Sequence, residues 1–326
     1  MNERITLGNS DLQIAPVALG CWPLAGMTSG IVPDETAIAT IHACLEPEVG
    51  INHLDTAYMY GAAGESERLI GRAIRDRREE FIVATKGGLH IDLTTRNNRQ
   101  IDSRPETLRR ECEESLQRLQ TDRVEIYYLH APDPDIPIEE SAGAIGELIE
   151  QGKARFAGAS NLSLDQLARF HAVCPIVVFQ PMYNMLQRGI EKDILPWCKE
   201  QGISVLVYWP LLKGLLAGRL RREDVIPPTD TRSRYPMFHG EQWQKNHDLI
   251  DRLRDIAADA GKTVAQLVIN WTIHRDGITG AICGAKRPEQ IRDTAGAMGW
   301  RLSDDQLAAI DSALADRGEP ESEPPV

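Results

Sequence analysis

Asp55, Tyr58 and Tyr60 crowd into one stretch, Asp55-Thr56-Ala57-Tyr58-Met59-Tyr60-Gly61, directly after the short apolar run Gly50-Ile51-Asn52-His53-Leu54. A carboxylate and a phenol five residues apart at a strand end can point into one pocket. What the stretch lacks is a cation. A phenol ionises near pH ~10 in model peptides, so a tyrosine proton donor needs a positive neighbour. The next strand-like run, Phe81-Ile82-Val83-Ala84-Thr85-Lys86, ends in a lysine, and the one after it, Val124-Glu125-Ile126-Tyr127-Tyr128-Leu129-His130, ends in a histidine. Three successive strands would then end in Asp55 with Tyr60, in Lys86 and in His130. Tyr58 and Tyr60 compete for the donor role; with Tyr60 as the donor, Tyr58 is a wall or packing residue.

The elements that carry these residues repeat. From Val17-Ala18-Leu19-Gly20-Cys21-Trp22 onward there are eight short apolar runs, the others near 51–56, 81–86, 124–130, 155–160, 176–181, 203–209 and 278–284. Helical patterns separate nearly all of them. One opens at Pro33-Asp34-Glu35 and runs to about Glu46, and capping boxes stand at Ser103-x-x-Glu106, Ser163-x-x-Gln166, Thr263-x-x-Gln266 and Ser303-x-x-Gln306. Eight βα units make the pattern of a (β/α)8 TIM barrel. A doubly wound sheet would normally show a Gly-x-Gly-x-x-Gly turn after an early strand, and neither that nor a Walker A sequence is present. In a barrel, active-site groups come from the C-terminal ends of strands and the loops after them, which is where Asp55, Tyr60, Lys86 and His130 fall. Alternation around Gly8-Asn9-Ser10-Asp11 predicts an N-terminal β-hairpin over 4–20. Two long irregular loops, about 87–103 and about 211–246, would overhang the active face. The expectation is one barrel domain over 1–316 and a disordered tail over 317–326.

Composition narrows the partners. The 326-residue chain is 42% hydrophobic and 26% charged, enough for a full core, and its net charge of −12 argues against a nucleic-acid or anionic-membrane partner while leaving room for a local basic pocket. No run approaches the ~18 apolar residues of a membrane span, and no signal-peptide core follows Met1-Asn2-Glu3-Arg4. The six cysteines lack Cys-x-x-Cys spacing and read as reduced core residues of a cytoplasmic protein, a monomer or weak homo-oligomer. No metal site is expected: the remaining histidines (His42, His53, His90, His171, His239, His247 and His274) lack ligand spacing and read as structural or surface groups, with His90, in a loop on the active face, the one exception.

Several motifs in order resemble one family. The chain is similar to the aldo-keto reductases, barrel enzymes that reduce carbonyls with NADPH, over essentially residues 4–315. The resemblance rests on Asp55-Thr56-Ala57-x-x-Tyr60-Gly61, Thr85-Lys86, Leu129-His130, Gly158-Ala159-Ser160-Asn161, Gln180 with Tyr183-Asn184, Tyr208-Trp209-Pro210-Leu211 and Gly284-Ala285-Lys286-Arg287-Pro288-Glu289-Gln290. It implies hydride addition to a carbonyl carbon, with Tyr60 protonating the oxygen, Lys86 lowering the phenol pKa, Asp55 fixing Lys86 and His130 orienting the carbonyl. It also implies that Ser160, Asn161 and Gln180 hold the nicotinamide amide, that Tyr208 stacks on the ring with Trp209 and Leu211 beside it, and that Lys213 and Gly214 meet the pyrophosphate. Gly284, Lys286, Arg287 and Gln290 would grip the adenosine 2′-phosphate. Two cations at a helix N-terminus favour NADPH over NADH.

Three positions depart from the family pattern. Asp293-Thr294 stands where relatives often have Glu-Asn near the adenine, Trp209 replaces a small serine, and Ala131 follows His130 where a larger residue is common. Trp22 and Trp209 are the expected substrate walls, with Tyr235 and Phe238 as further aromatics. The polar loop with Arg96, Asn97, Asn98, Arg99 and Arg104 suits a sugar-like or other small polar carbonyl. A second reading keeps the fold and the cofactor without the turnover: an NADPH-binding regulatory subunit similar to the potassium-channel β subunits.

Overall fold

The eight apolar runs pair side by side in parallel and in chain order, and the last pairs with the first to close a barrel. The computed structural model describes residues 3–27, 30–92 and 98–321. The barrel strands are β1 (Val17–Gly20), β2 (His53–Asp55), β3 (Ile82–Gly87), β4 (Val124–Leu129), β5 (Ala154–Ser160), β6 (Ile176–Gln180), β7 (Ser204–Tyr208) and β8 (Gly280–Gly284). Their limits lie within a few residues of the sequence expectation, the usual scatter at element ends.

Each strand is apolar on both faces because both faces are buried. Ala18, Ile82, Ala84, Ile126, Tyr128, Val178, Leu206 and Ile282 fill the barrel interior. Their neighbours Leu19, Val83, Tyr127, Leu129, Val205, Val207 and Cys283 face the surrounding helices. This period-two division is what a strand's geometry demands. The expected N-terminal hairpin is present as Ile5–Thr6 against Gln13–Ile14, and it adds Leu7, Leu12 and Ile14 to the interior cluster. All six cysteines are buried and unpaired. Among the described residues, no helix is long and apolar enough to cross a membrane.

Three of the four capping boxes form in full, at Ser163, Thr263 and Ser303. The fourth does not. The helix begins at Pro105 with Arg104 as its cap residue, because proline pre-sets the first helical turn. Ser103 is instead buried and accepts a hydrogen bond from Ser141 Oγ at 3.0 Å. The helix after Pro33 stops at Ala43 rather than near Glu46. The loop expected at 87–103 contains an antiparallel strand pair, Leu89–Asp92 with Asn98–Ile101, too short in its first strand and too polar in its second to stand out in the sequence. The loop expected over 211–246 is broken by short 3-10 turns and ends inside a helix, Gly240–Asp259. Arg317 does not open a tail. It ends the helix Asp304–Arg317, is buried, and donates from Nε to Asn246 Oδ1 at 3.0 Å. Residues 322–326 lie outside the described residues, as do Arg96 and Asn97 of the polar loop.

The helices Glu65–Ile74 and Pro105–Leu119 touch backbone to backbone at Gly71, where a Cβ would sit 2.7 Å from the Arg118 carbonyl oxygen. Gly71→Ala should therefore overpack this contact and destabilise the protein by about 1–3 kcal/mol. Denaturant unfolding should show a lower midpoint at an unchanged slope.

Candidate active site

Register places the strand-end residues. Asp55 is aligned with Ala84 across β2 and β3, so Lys86, two residues on and on the same face, reaches over the barrel mouth toward it. Lys86 Nζ donates to Asp55 Oδ1 at 2.6 Å and to the Thr56 carbonyl oxygen at 2.7 Å. Both side chains are buried, at 1% and 3% exposure. The second carboxylate oxygen, Oδ2, accepts from Gln180 Nε2 at 2.7 Å. Burial pushes the Lys86 ammonium below its ordinary value, and Asp55 pulls it back up. Below this layer His53 is fully buried, and burial lowers its imidazole to about 4, a neutral structural histidine as read.

Backbone bonds fold the Asp55–Gly61 stretch back over the lysine. Tyr58 N donates to Lys86 O at 2.9 Å, and Tyr60 N to Ala57 O at 3.0 Å. Gly61 has φ of +95°, and a Cβ there would strike the Glu65 carboxylate, so the turn needs glycine. Tyr60 stands in an aromatic corner, edge-on to Trp22 at 4.9 Å and to His130 at 6.1 Å between ring centres. Lys86 Nζ is 5.4 Å from the Tyr60 ring centre. The phenol is not lowered here as the sequence reading expected. Burial first, and then the Asp55 carboxylate, push it well above its ordinary value. Tyr58 turns away, its hydroxyl donating to Glu114 at 2.7 Å.

The residues expected to hold a cofactor divide into those that face the mouth and those that face the protein. Asn161, in the left-handed region at φ of +61°, donates to His130 O at 2.9 Å and to Ser160 Oγ at 3.1 Å, and its Oδ1 accepts from Tyr208 Oη at 2.8 Å. Ser160 Oγ donates to Gln180 O at 2.7 Å. The Gln180 amide, expected at the nicotinamide, donates one N–H to Asp55. Trp209, Leu212, Lys213 and Gly214 all have positive φ, so the chain turns sharply after β7. Lys213 Nζ lies 3.5 Å from the Trp209 ring centre and 4.2 Å from that of Tyr235. Leu211 closes this turn, its carbonyl oxygen accepting from Gly214 N at 2.9 Å.

After β8, Gly284 is exposed beside Pro23, and Arg287 caps the helix Pro288–Ala295. Lys286 N donates to Gln290 Oε1 at 2.8 Å. Burial and the Arg232 guanidinium lower the Lys286 ammonium while Asp230 raises it, so Arg232 belongs to this basic cluster. It lies in the long loop, and no sequence signal separated it from its arginine neighbours. Thr294 is buried and Asp293 half-buried, and both are bonded within the protein. Asp293 pairs with Arg219 at 2.7 Å and accepts from Gln266 Nε2 at 3.1 Å, and Thr294 donates to Gln290 O at 2.8 Å. Phe238 is a core residue against Trp243, whereas Tyr235 does stand by Trp209. Arg104 is taken up by Asp102 at 2.7 Å.

The family model described as Aldo/keto reductase family matches residues 16–315. The aldo-keto reductase YhdN of Bacillus subtilis (strain 168) is 34% identical over 317 residues, covering 96% of this chain and 93% of its own length. Probable aldo-keto reductase 1 of Glycine max is 31% identical over 315 residues, covering 96% and 89%. Among solved structures, the glycerol dehydrogenase AKR11B4 from Gluconobacter oxydans is similar with a TM-score of 0.89 at 35% identity, covering 100% of this chain and 99% of that one. The holo form of aldo-keto reductase AKR11C1 from Bacillus halodurans gives 0.78 at 26% identity, covering 98% and 99%.

His90, flagged by its place on the active face, has Nε2 2.9 Å from Glu111 Oε1, and Glu111 Oε2 accepts from Gly88 N at 2.8 Å. The bond to Glu111 raises the imidazole pKa. A group raised on folding stabilises fully below its unfolded value, near ~6.5 for histidine, and loses that effect as pH rises through the folded value. His90→Asn should therefore lower the melting temperature more at pH ~5.5 than at pH ~9. An equal loss at both would assign the contact to packing.

Proposed function

The chain belongs to the aldo/keto reductase family, in which carbonyls are reduced with a nicotinamide cofactor, and on that premise we propose that it reduces a small polar aldehyde or ketone with NADPH, Tyr60 giving the proton. The observation that carries this reading is the convergence of the buried Asp55–Lys86 pair, Tyr60 and His130 at one end of the barrel, with Trp22 against the phenol. A proton donor must keep its proton until charge grows on the carbonyl oxygen, and the raised Tyr60 phenol does so. The alkoxide that forms is a far stronger base than a phenolate, so transfer then runs downhill. Lys86, kept charged by Asp55, provides the positive field for the phenolate left behind. His130 orients the oxygen beside Tyr60. Trp22 and Trp209, with Tyr235, limit the space for substrate and exclude water.

The residues present fit the cofactor. Asn161 Oδ1 accepts one hydrogen bond where an amide oxygen can accept two, leaving a place for a carboxamide N–H. Lys286, Arg287 and Arg232 gather at the start of the helix Pro288–Ala295, a site suited to a phosphate. Lys213 and Gly214, in the sharp turn after β7, suit the pyrophosphate, and Tyr208 suits the ring. When bound, NADPH supplies the hydride. With Asp293 bonded to Arg219 and Thr294 to the Gln290 carbonyl oxygen, preference over NADH rests on the cations. The name of the Gluconobacter relative, a glycerol dehydrogenase, agrees with a small polyol-like substrate.

NADPH consumption with a panel of aldehydes, ketones and sugars tests this. Wild type should turn over, and Tyr60→Phe should lose roughly 10²–10⁴-fold in kcat. Lys286→Ala with Arg287→Ala should raise KM for NADPH and leave that for NADH nearly unchanged. Tight NADPH binding without turnover of any carbonyl would contradict the proposal.

A further inference from the structure

The helix Glu65–Ile74 buries one charge that the chemistry above does not use. Glu67 is 0% exposed, and its partner Arg118, on the helix Pro105–Leu119, is 15% exposed. Burying a carboxylate costs several kcal/mol unless it is paired and hydrogen-bonded, and a well-packed apolar residue would often serve stability better. The partners of this pair are therefore informative. Glu67 Oε1 accepts from Thr85 Oγ1 at 2.6 Å, next to Lys86 in β3. Glu67 Oε2 accepts from Arg118 Nη1 at 3.2 Å, and the same Nη1 donates to the Tyr58 carbonyl oxygen at 3.2 Å, two residues before Tyr60. The guanidinium carbon lies 4.2 Å from the Tyr58 ring centre, and Nη2 donates to Glu114 at 3.3 Å, the residue that also receives the Tyr58 hydroxyl. The chain after Tyr60 rests on the same side chain: at Gly64, φ of +73°, a Cβ would sit 2.6 Å from Arg118 Cδ.

We propose that Arg118, acting with Glu67, is a positioning residue for the reaction: one buried ion pair ties the strand end that carries Lys86 to the turn that carries Tyr60. This rests on the reductase reading above. Thr85 fixes where Lys86 leaves β3, and the Tyr58 carbonyl fixes where the turn toward Tyr60 begins. The direct link, Tyr58 N to Lys86 O at 2.9 Å, completes a closed ring of contacts among the three segments. Glu67 also adds to the negative field that favours the Lys86 ammonium, after Asp55. Neither Glu67 nor Arg118 needs to touch substrate or cofactor for the ring to act; misplacing a reacting group by about 1 Å can cost 10²-fold in rate.

The test uses Arg118→Lys, which keeps a charge for Glu67 but loses the guanidinium fork, and Thr85→Val, which removes one hydrogen bond without changing charge. Each is made in wild type and in Tyr60→Phe, and hydride transfer is followed in single turnovers with NADPH and glyceraldehyde, or the best carbonyl of the panel. Both variants should lose roughly 10-fold or more in the rate with Tyr60 present. KM for the carbonyl and Kd for NADPH should stay within about twofold, and the loss should shrink several-fold in the Tyr60→Phe background, where there is no phenol to position. A merely structural role would give the same loss in both backgrounds, and that result, or no loss at all, overturns the proposal. If Arg118→Lys fails to fold, Thr85→Val carries the same expectation. A folded wild type with no turnover would overturn the reductase reading, and this inference with it; turnover with unaffected variants overturns the inference alone.

Discussion

A lysine ammonium at 1% exposure is tolerable only because a carboxylate oxygen lies 2.6 Å away, and this pair sets what the rest of the barrel mouth can be. Each ion loses several kcal/mol of hydration on burial, repaid only when geometry is good and the remaining donors and acceptors are satisfied. Here Lys86 also reaches the Thr56 carbonyl oxygen, and Asp55 uses its second oxygen on Gln180. The pair thus draws on one amide N–H of Gln180, a residue expected at the nicotinamide. Burial, and after it the Asp55 carboxylate, push the Tyr60 phenol up, so that it holds its proton. A barrel is well suited to this, because parallel strands in register bring Asp55 and Lys86 onto one inner face.

The turns after β7 and β8 are built on different physics. The chain after β7 passes through four residues with positive φ, three of them not glycine, and such conformations persist only where surrounding contacts enforce them. Lys213 against Trp209 and Tyr235 is one such contact. The bulky Trp209, which departs from the small residue of the family pattern, thereby gains a packing role in the turn. Beyond β8 the design is electrostatic: Lys286, Arg287 and Arg232 gather on a chain whose net charge is −12, a local reversal that whole-chain composition conceals.

Much of this was legible in the sequence, for a physical reason. Strand ends are short apolar runs closed by a polar residue, so Asp55, Lys86 and His130 announce themselves, and eight such runs imply the closed barrel that forms. What stayed hidden depends on long-range contacts. Arg118 has Glu114 at i−4 on its own helix, and nothing local points to the Glu67 it meets 51 residues away. Gln180 and Thr294 ended up bonded inward, a choice set by neighbours on other elements. The hairpin Leu89–Asp92 with Asn98–Ile101 escapes notice because its first strand alternates over only four residues and its second is polar up to Ile101. Ser103 had the cap pattern, but Pro105 moved the helix start past it.

The dependence of the mouth on the Asp55–Lys86 pair is tested most directly by a double-mutant cycle on folding stability, with Asp55→Asn, Lys86→Met and both together. Each single change strands a buried partner and should cost about 3–5 kcal/mol. The double variant should cost clearly less than the sum, with a coupling of roughly 1–3 kcal/mol. Costs that add to within about 0.5 kcal/mol would mean that the two side chains are held independently, and the pair would lose its place as the constraint on which the site is built.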